Sequence, residues 1–218
     1  MNPGSDFADR HNQKIQAPRK RKVLGPVLFV AGLLIIVGAA IDMISGGGSP
    51  AKMHHYYHTA MDTAIELQFN AAGLAQAEAV KSDLFAEVDR LERLLSRSAS
   101  GSDVDRVNAK AGVSPVSVDD ETLTVAEAAL KYAGLSEGAF DPTIAPFLDQ
   151  WGFLGQQFRV PSPAQIEALF PLVDYTLLEI DRARGTIYLP AAGMSLDLGG
   201  IAKGYIVDRG LAVLARAG

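Results

Sequence analysis

Met194-Ser-Leu-Asp-Leu-Gly-Gly-Ile-Ala-Lys-Gly-Tyr-Ile-Val-Asp208 is the stretch on which the interpretation of this chain turns. Met194 to Leu198 alternate apolar and polar residues as a half-buried strand does, and Gly199-Gly200 break the alternation. From Ile201 the apolar residues Ile201, Tyr205, Val207, Leu211 and Leu214 recur at helical spacing. The pattern predicts a strand, a tight glycine turn and a helix. A helix start aims unbonded backbone N–H groups at whatever lies above it, and two glycines let a ligand approach the main chain closely. Lys203 adds a positive charge in the first turn, so the stretch suits a phosphate group. It is neither G-x-x-x-x-G-K-[ST], because Gly204 follows Lys203, nor G-x-G-x-x-G, because the glycines stand at 199, 200 and 204. A strand-to-helix corner with a solvated lysine accounts for these residues equally well, and the rest of the chain has to decide.

The chain has 218 residues, 48% of them hydrophobic and 21% charged, which is enough for one ordinary domain and an appendage. It has no cysteine, which excludes disulfides, thiolate metal sites and thiol nucleophiles. Residues 1–22 hold six Lys/Arg against Asp6 and Asp9, a net +4, so the remainder carries −9 within the chain's total of −5. An acidic body of this kind argues against nucleic acid as a partner.

In order along the chain, residues 1–22 form a basic tail ending in Arg19-Lys-Arg-Lys22, and residues 23–41 are nineteen without a charge. At about 1.5 Å per residue such a run just crosses a hydrocarbon core of about 30 Å, so a transmembrane anchor is expected at 23–41. The basic cluster places the N-terminus in the cytoplasm and everything after Asp42 on the outer face of an inner or plasma membrane. A cleaved signal peptide is the competing reading, since Gly38-Ala-Ala40 supplies small residues, but its apolar region is usually shorter than this run. Residues 42–54, with Ser45-Gly-Gly-Gly-Ser-Pro50, read as a linker, and 55–218 as the folded domain. His54, His55 and His58 suggest a metal site, but no carboxylate accompanies them locally, and a loosely packed entry strand is preferred.

Within the domain, Thr63, Ile65, Leu67 and Phe69 alternate as an edge or one-sided strand, and Leu74 to Leu95 forms a long helix with Leu84, Val88, Leu91 and Leu95 on one face. Ser96 to Asn108 reads as a polar loop, and Asp119-Asp120 open a helix reaching Glu137 with Gly138 as its stop. Asp141, held extended before Pro142, is expected to project its carboxylate as a ligand arm. Trp151, near Phe147, Gly152 and Phe153, reads as a core or lid aromatic. Ser162-Pro163-Ala-Gln165 signals a short helix to Phe170, and Asp181-Arg-Ala-Arg-Gly185 joins two strands of a hairpin.

Four stretches taken together resemble the ApbE family of FAD:protein FMN transferases: Met61-Asp-Thr63, Ser102-Asp-Val-Asp-Arg-Val-Asn108, Gly138-Ala-Phe-Asp-Pro-Thr143 and Asp197-Leu-Gly-Gly-Ile-Ala-Lys-Gly-Tyr205. The resemblance runs from about residue 55 to the end and implies an α+β fold around a mainly antiparallel sheet with flanking helices. It implies an enzyme that uses FAD as donor and requires Mg²⁺. Such an enzyme transfers the FMN moiety to a threonine hydroxyl of a target flavoprotein, typically a membrane subunit facing outside, and releases AMP. By position, Met61, Ala139, Phe140, Asp141, Asp197 and Lys203 would contact FAD, and the carbonyl of Gly200 would be a metal ligand. The general base is not identified. The resemblance also implies departures. Asp62 replaces a glycine, and Ser98 stands where a flavin-stacking tyrosine is common, so ring affinity is lowered or Tyr56 or Tyr57 substitutes. A downstream D-A-x-x-T segment completing the Mg²⁺ site is not in these 218 residues, so the chain is expected to be the N-terminal part of a longer protein. Two alternatives stay open, a truncated, non-catalytic membrane-anchored FAD-binding protein and an FAD pyrophosphatase.

Overall fold

The computed structural model describes residues 34–37, 51–61 and 63–218. Their elements run β1 (Leu34–Val37), β2 (Lys52–Ala60), β3 (Thr63–Ala71), α1 (Leu74–Leu95), α2 (Asp103–Ala109), β4 (Val116–Ser117), α3 (Asp120–Leu135), α4 (Ala145–Gln150), α5 (Pro163–Glu167), β5 (Glu179–Asp181), β6 (Thr186–Tyr188) and α6 (Gly199–Ala217). This is an α+β arrangement of two three-stranded sheets, β1-β3-β2 and β4-β6-β5, in which every pairing but β1 with β3 is antiparallel.

The period-2 pattern of β3 buries Thr63, Ile65, Leu67, Phe69 and Ala71 on one face. The period-3.6 pattern of α1 buries Ala77, Val80, Leu84, Val88, Leu91 and Leu95. The apolar members of both stripes belong to one hydrophobic core. β2 pairs with β3 from Ala60↔Thr63 out to Lys52↔Ala71. On the other side of β3 lies β1, in parallel register from Leu34↔Ile65 to Val37↔Gln68. β3 is therefore the central strand of its sheet and not an edge.

Of the uncharged run 23–41, the described residues Leu34–Val37 are a strand where a membrane helix was expected. Leu-Ile-Ile-Val is rich in β-branched side chains, which suit a strand, and the free side of β3 offers it a backbone ladder. The remainder of the anchor, the basic tail and residues 42–50 of the linker lie outside the described residues. No helix among the described residues is long and apolar enough to cross a membrane.

Several boundaries differ from the sequence expectation for local reasons. β2 begins at Lys52, within the expected linker, because its ladder with β3 continues that far. The polar loop after α1 ends at Ser102, whose Oγ accepts the backbone N–H of Asp105 at 2.9 Å and starts α2. α3 has the expected Asp119 cap, with Oδ1 accepting from Glu121 N at 2.9 Å, and Gly138 follows it at φ 82°. The capping box of Ser162 and Gln165 is formed, but α5 stops at Glu167, ahead of a 3-10 turn at Phe170–Leu172.

Candidate functional site

Met194 to Leu198 alternate in burial as the sequence indicates, yet they form no ladder; Ser195 makes a single parallel bridge to Ile144. The backbone is satisfied by other groups. The Asn108 side chain accepts from Leu196 N at 2.7 Å and donates to Leu196 O at 3.0 Å, as a neighbouring strand would. Asp197 N donates to Pro142 O at 2.7 Å. The chain then turns into α6 at Gly199, whose N–H is accepted by Asp197 Oδ1 at 2.7 Å. The buried stripe of α6 is Ala202, Ile206, Gly210 and Val213. Ile201, Tyr205, Val207 and Leu214 are only partly buried, and Leu211 is exposed. The helix contacts both α1 and α3, and small residues face the core at this junction.

Above the start of α6 lies a cavity of ≈ 470 Å³ whose walls include Met61, Arg97, Phe153, Asp197, Gly200 and Lys203. Met61 sits at the β2–β3 turn with φ 52°, a left-handed conformation rare for a side chain of this size, and donates its N–H to Glu92 Oε1 at 2.6 Å. Arg97 bridges two carboxylates, with Nε 2.7 Å from Asp197 Oδ2 and Nη1 2.6 Å from Asp149 Oδ1. Its charge is thus matched on the spot. Lys203 forms no ion pair among the described residues, so it is the uncompensated cation of this wall. A helix N-terminus and a lysine facing one cavity form a place for an anionic group.

Gly200 stands between this cavity and a second of ≈ 410 Å³, lined by Tyr132, Ser136, Phe140, Ile201 and Gly204. A Cβ on Gly200 would lie 2.9 Å from Phe140 Cε2, so the ring and the helix start pack without room for a side chain. Of the residues expected to act together, Met61, Asp197, Gly200 and Lys203 share the first cavity, and Phe140 reaches Gly200 from the second. Ala139 is exposed and lies outside both walls. Asp141 is not a projecting arm. Its Oδ1 accepts from Thr143 N at 2.7 Å and Thr143 Oγ1 at 2.6 Å, and its Oδ2 from Tyr175 N at 3.0 Å. These three donors turn the carboxylate back onto its own loop and the Asp174–Tyr175 turn.

Neither Tyr56 nor Tyr57 stands in for an aromatic beside Ser98. Tyr56 packs near His54 and Phe69 with Lys81 Nζ 5.1 Å from its ring, and Tyr57 donates to Glu66 Oε1 at 3.3 Å on the other face of β2. Strand alternation also puts His55 opposite His54 and His58, and His58 Nε2 lies 2.6 Å from Asp89 Oδ1.

The described residues do not by themselves fit a Mg²⁺ ion. Mg²⁺ demands near-octahedral oxygen ligands, whereas both oxygens of Asp197 are engaged and Gly200 belongs to the regular hydrogen-bonding of α6. No group of three or more His, Asp or Glu side chains among the described residues is placed to hold a metal.

A charged network fixes α6 beneath the cavity. Arg90 donates to Glu87 at 2.8 and 3.0 Å and pairs with Glu121, and Arg209 reaches Glu87 at 3.4 Å and Glu121 at 3.3 Å. Tyr205 donates to Glu121 Oε1 at 3.1 Å. Hydrogen bonds from Arg90 hold the Glu87 carboxyl below its ordinary 4.5, and burial, with the Glu121 charge, raises the Tyr205 phenol.

Cavity residues that the sequence does not announce include Glu92, Arg97, Leu148 and Leu154, whereas Ser98 was marked by the family resemblance. They sit on the end of α1, on the short α4 and on turns, where no periodicity marks a wall. Phe153 was visible only through its place beside Trp151.

A family model described as the ApbE family matches residues 61–218. The FAD:protein FMN transferase of Klebsiella pneumoniae is 35% identical over 163 residues, covering 74% of this chain and 50% of that protein. The protein of the same name from Treponema pallidum is 31% identical over 140 residues, covering 62% and 39%. The crystal structure of the ApbE protein from Thermotoga maritima superposes with a TM-score of 0.71 at 28% identity, covering 76% of this chain and 53% of that one. The flavin transferase ApbE of Vibrio cholerae superposes with a TM-score of 0.70 at 26% identity, covering 77% and 54%. The chain spans about half the length, or less, of the curated relatives it matches.

Proposed function

This chain belongs to the ApbE family, and on that premise we propose that it serves the transfer of the FMN moiety of FAD to a threonine hydroxyl of an acceptor flavoprotein. The threonine oxygen forms a bond to the FMN phosphorus, the bond from that phosphorus to the AMP oxygen breaks, and the hydroxyl proton is released. The observation that carries this reading is the cavity over α6. Its wall pairs an uncompensated lysine and a helix N-terminus with the apolar side chains of Met61 and Phe153. Phosphoryl transfer depends mostly on positioning and on neutralising charge, which Lys203 and the helix start supply. Met61, Asp197 and Lys203 are assigned to the FAD surface, with Phe140 behind Gly200; Ala139 and Asp141 are assigned to shaping the loop. Mg²⁺ remains part of the expected reaction, although the described residues alone do not form its site.

A membrane anchor over 23–41 with the domain on the outer face belongs to the same reading and rests on the uncharged run after the basic cluster. Such an anchor requires Leu34–Val37 to leave β3. Retention in the membrane fraction after alkaline extraction tests it.

The function is tested by incubating the protein with FAD, Mg²⁺ and a threonine-bearing acceptor domain and following covalent flavin fluorescence on a denaturing gel. Labelling by the wild type, lost in Lys203→Ala, is the expected result. Release of FMN and AMP with no acceptor would move the assignment to an FAD pyrophosphatase, and FAD binding without turnover to a non-catalytic binder.

A further inference from the structure

Residues Trp151 to Arg159 form a loop closed at its base, with Arg159 N donating to Trp151 O at 3.1 Å and Arg159 Nε donating to Gln150 O at 2.7 Å. The loop is tightly folded. Gly152, Gly155 and Gln156 all have φ between 56° and 80°, and a Cβ on Gly152 would lie 1.9 Å from Gln157 O. Phe153 N donates to Leu148 O at 3.0 Å, which fixes the start of the loop on α4. Arg97 then ties α4 to the α6 start through Asp149 and Asp197. The loop is therefore held against the cavity.

What the loop presents is apolar. Phe153 and Leu154 both line the cavity, and Phe153 is 53% exposed although it belongs to a well-braced loop. Its ring is buttressed edge-on by Phe158, with centroids 5.6 Å apart. Phe153 is the aromatic side chain of this wall; Tyr56, Tyr57 and Trp151 do not line it. The same cavity is also lined by Asp197 and Lys203. A ligand that satisfies both kinds of lining carries a phosphate and a flat ring with apolar surface.

We propose that Phe153 is the side chain that stacks on the tricyclic ring of the flavin. The inference rests on the FAD reading above and adds to it the residue that recognises the ring. A ring resting on the exposed face of Phe153 covers apolar surface and leaves the phosphates over the helix start. Leu154 and Met61, on the same walls, add apolar contact.

The test compares Phe153→Ala and Phe153→Tyr with the wild type in titrations with FAD and with ADP, which carries the phosphates without the flavin. Phe153→Ala is expected to weaken FAD about tenfold, the size of one stacking contact on an aromatic side chain, while ADP binds as in the wild type. Phe153→Tyr is expected to keep FAD affinity and to quench the emission of the bound flavin, because a phenol in ring contact donates an electron to the excited flavin and a phenyl group does not. Wild-type FAD affinity in Phe153→Ala, or unquenched emission in Phe153→Tyr, overturns the stacking role while leaving the FAD reading in place. Failure of the wild type to bind FAD while binding ADP removes both.

Discussion

The guanidinium of Arg97 lies 2.7 Å from Asp197 and 2.6 Å from Asp149, joining the entry to α6 with the helix that carries the Phe153 loop. The Arg97 side chain is only 12% exposed and that of Asp197 19%, so this pair is largely shielded from water, whereas Asp149, at 43%, is open to it. Arg97→Met would leave two carboxylates without their partner on the cavity wall. A loss of about 2 kcal/mol in unfolding free energy is expected, in the range for charged hydrogen bonds, together with weaker FAD binding. Urea denaturation and FAD titration measure the two effects. Wild-type values in both would show that the bridge holds nothing.

Gly200 and Gly204 make a paired test on one helix. An added Cβ at Gly200 meets the Phe140 ring at 2.9 Å, whereas at Gly204 it meets nothing within 4 Å. Gly204→Ala is expected to stabilise the protein by about 0.5–1 kcal/mol through helix propensity. At Gly200→Ala the same gain is offset by displacement of Phe140, and FAD affinity should fall. Thermal melts of the two variants side by side decide it.

Asn108 substitutes for a strand by holding both backbone groups of Leu196. Asn108→Asp keeps the shape, removes the donor and sets a negative charge against the Leu196 carbonyl. A loss of about 2 kcal/mol is expected, with disturbed FAD binding because Asp197 is the next residue. Wild-type stability in this variant would show that the clamp is incidental.

The pH dependence follows from Glu87. Its folded pKa lies below the ordinary 4.5, so the unfolded state takes up the proton first as the pH falls. The stability it contributes is present above pH 4.5 and is lost progressively as the pH falls through the folded value. Removing the arginines' partner with Glu87→Gln should therefore flatten the acid limb of the stability curve and lower stability at neutral pH. Denaturation midpoints across the acid range, in both proteins, check the sign.

The chain itself determined the local elements whose cause is local. The stripe from Leu84 to Leu95 specified α1, the alternation from Thr63 to Phe69 specified β3, and Asp119 and Ser162 with Gln165 marked helix starts, because periodicity and capping act within a few residues. The ApbE motifs likewise marked Met61, Asp197 and Lys203 as one group. What the sequence could not decide depended on partners far along the chain. β3 became central because Leu34–Val37 pairs with it, and Met194–Leu198 stayed a lone extended segment because a side chain 88 residues away holds Leu196. Asp141 turned inward because Tyr175 offers it an N–H, and Arg97 became a cavity wall because Asp149 and Asp197 converge on it. Those contacts exist only once the chain has packed, since hydrogen-bond and ion-pair geometry is set by the meeting of elements and not by spacing within one.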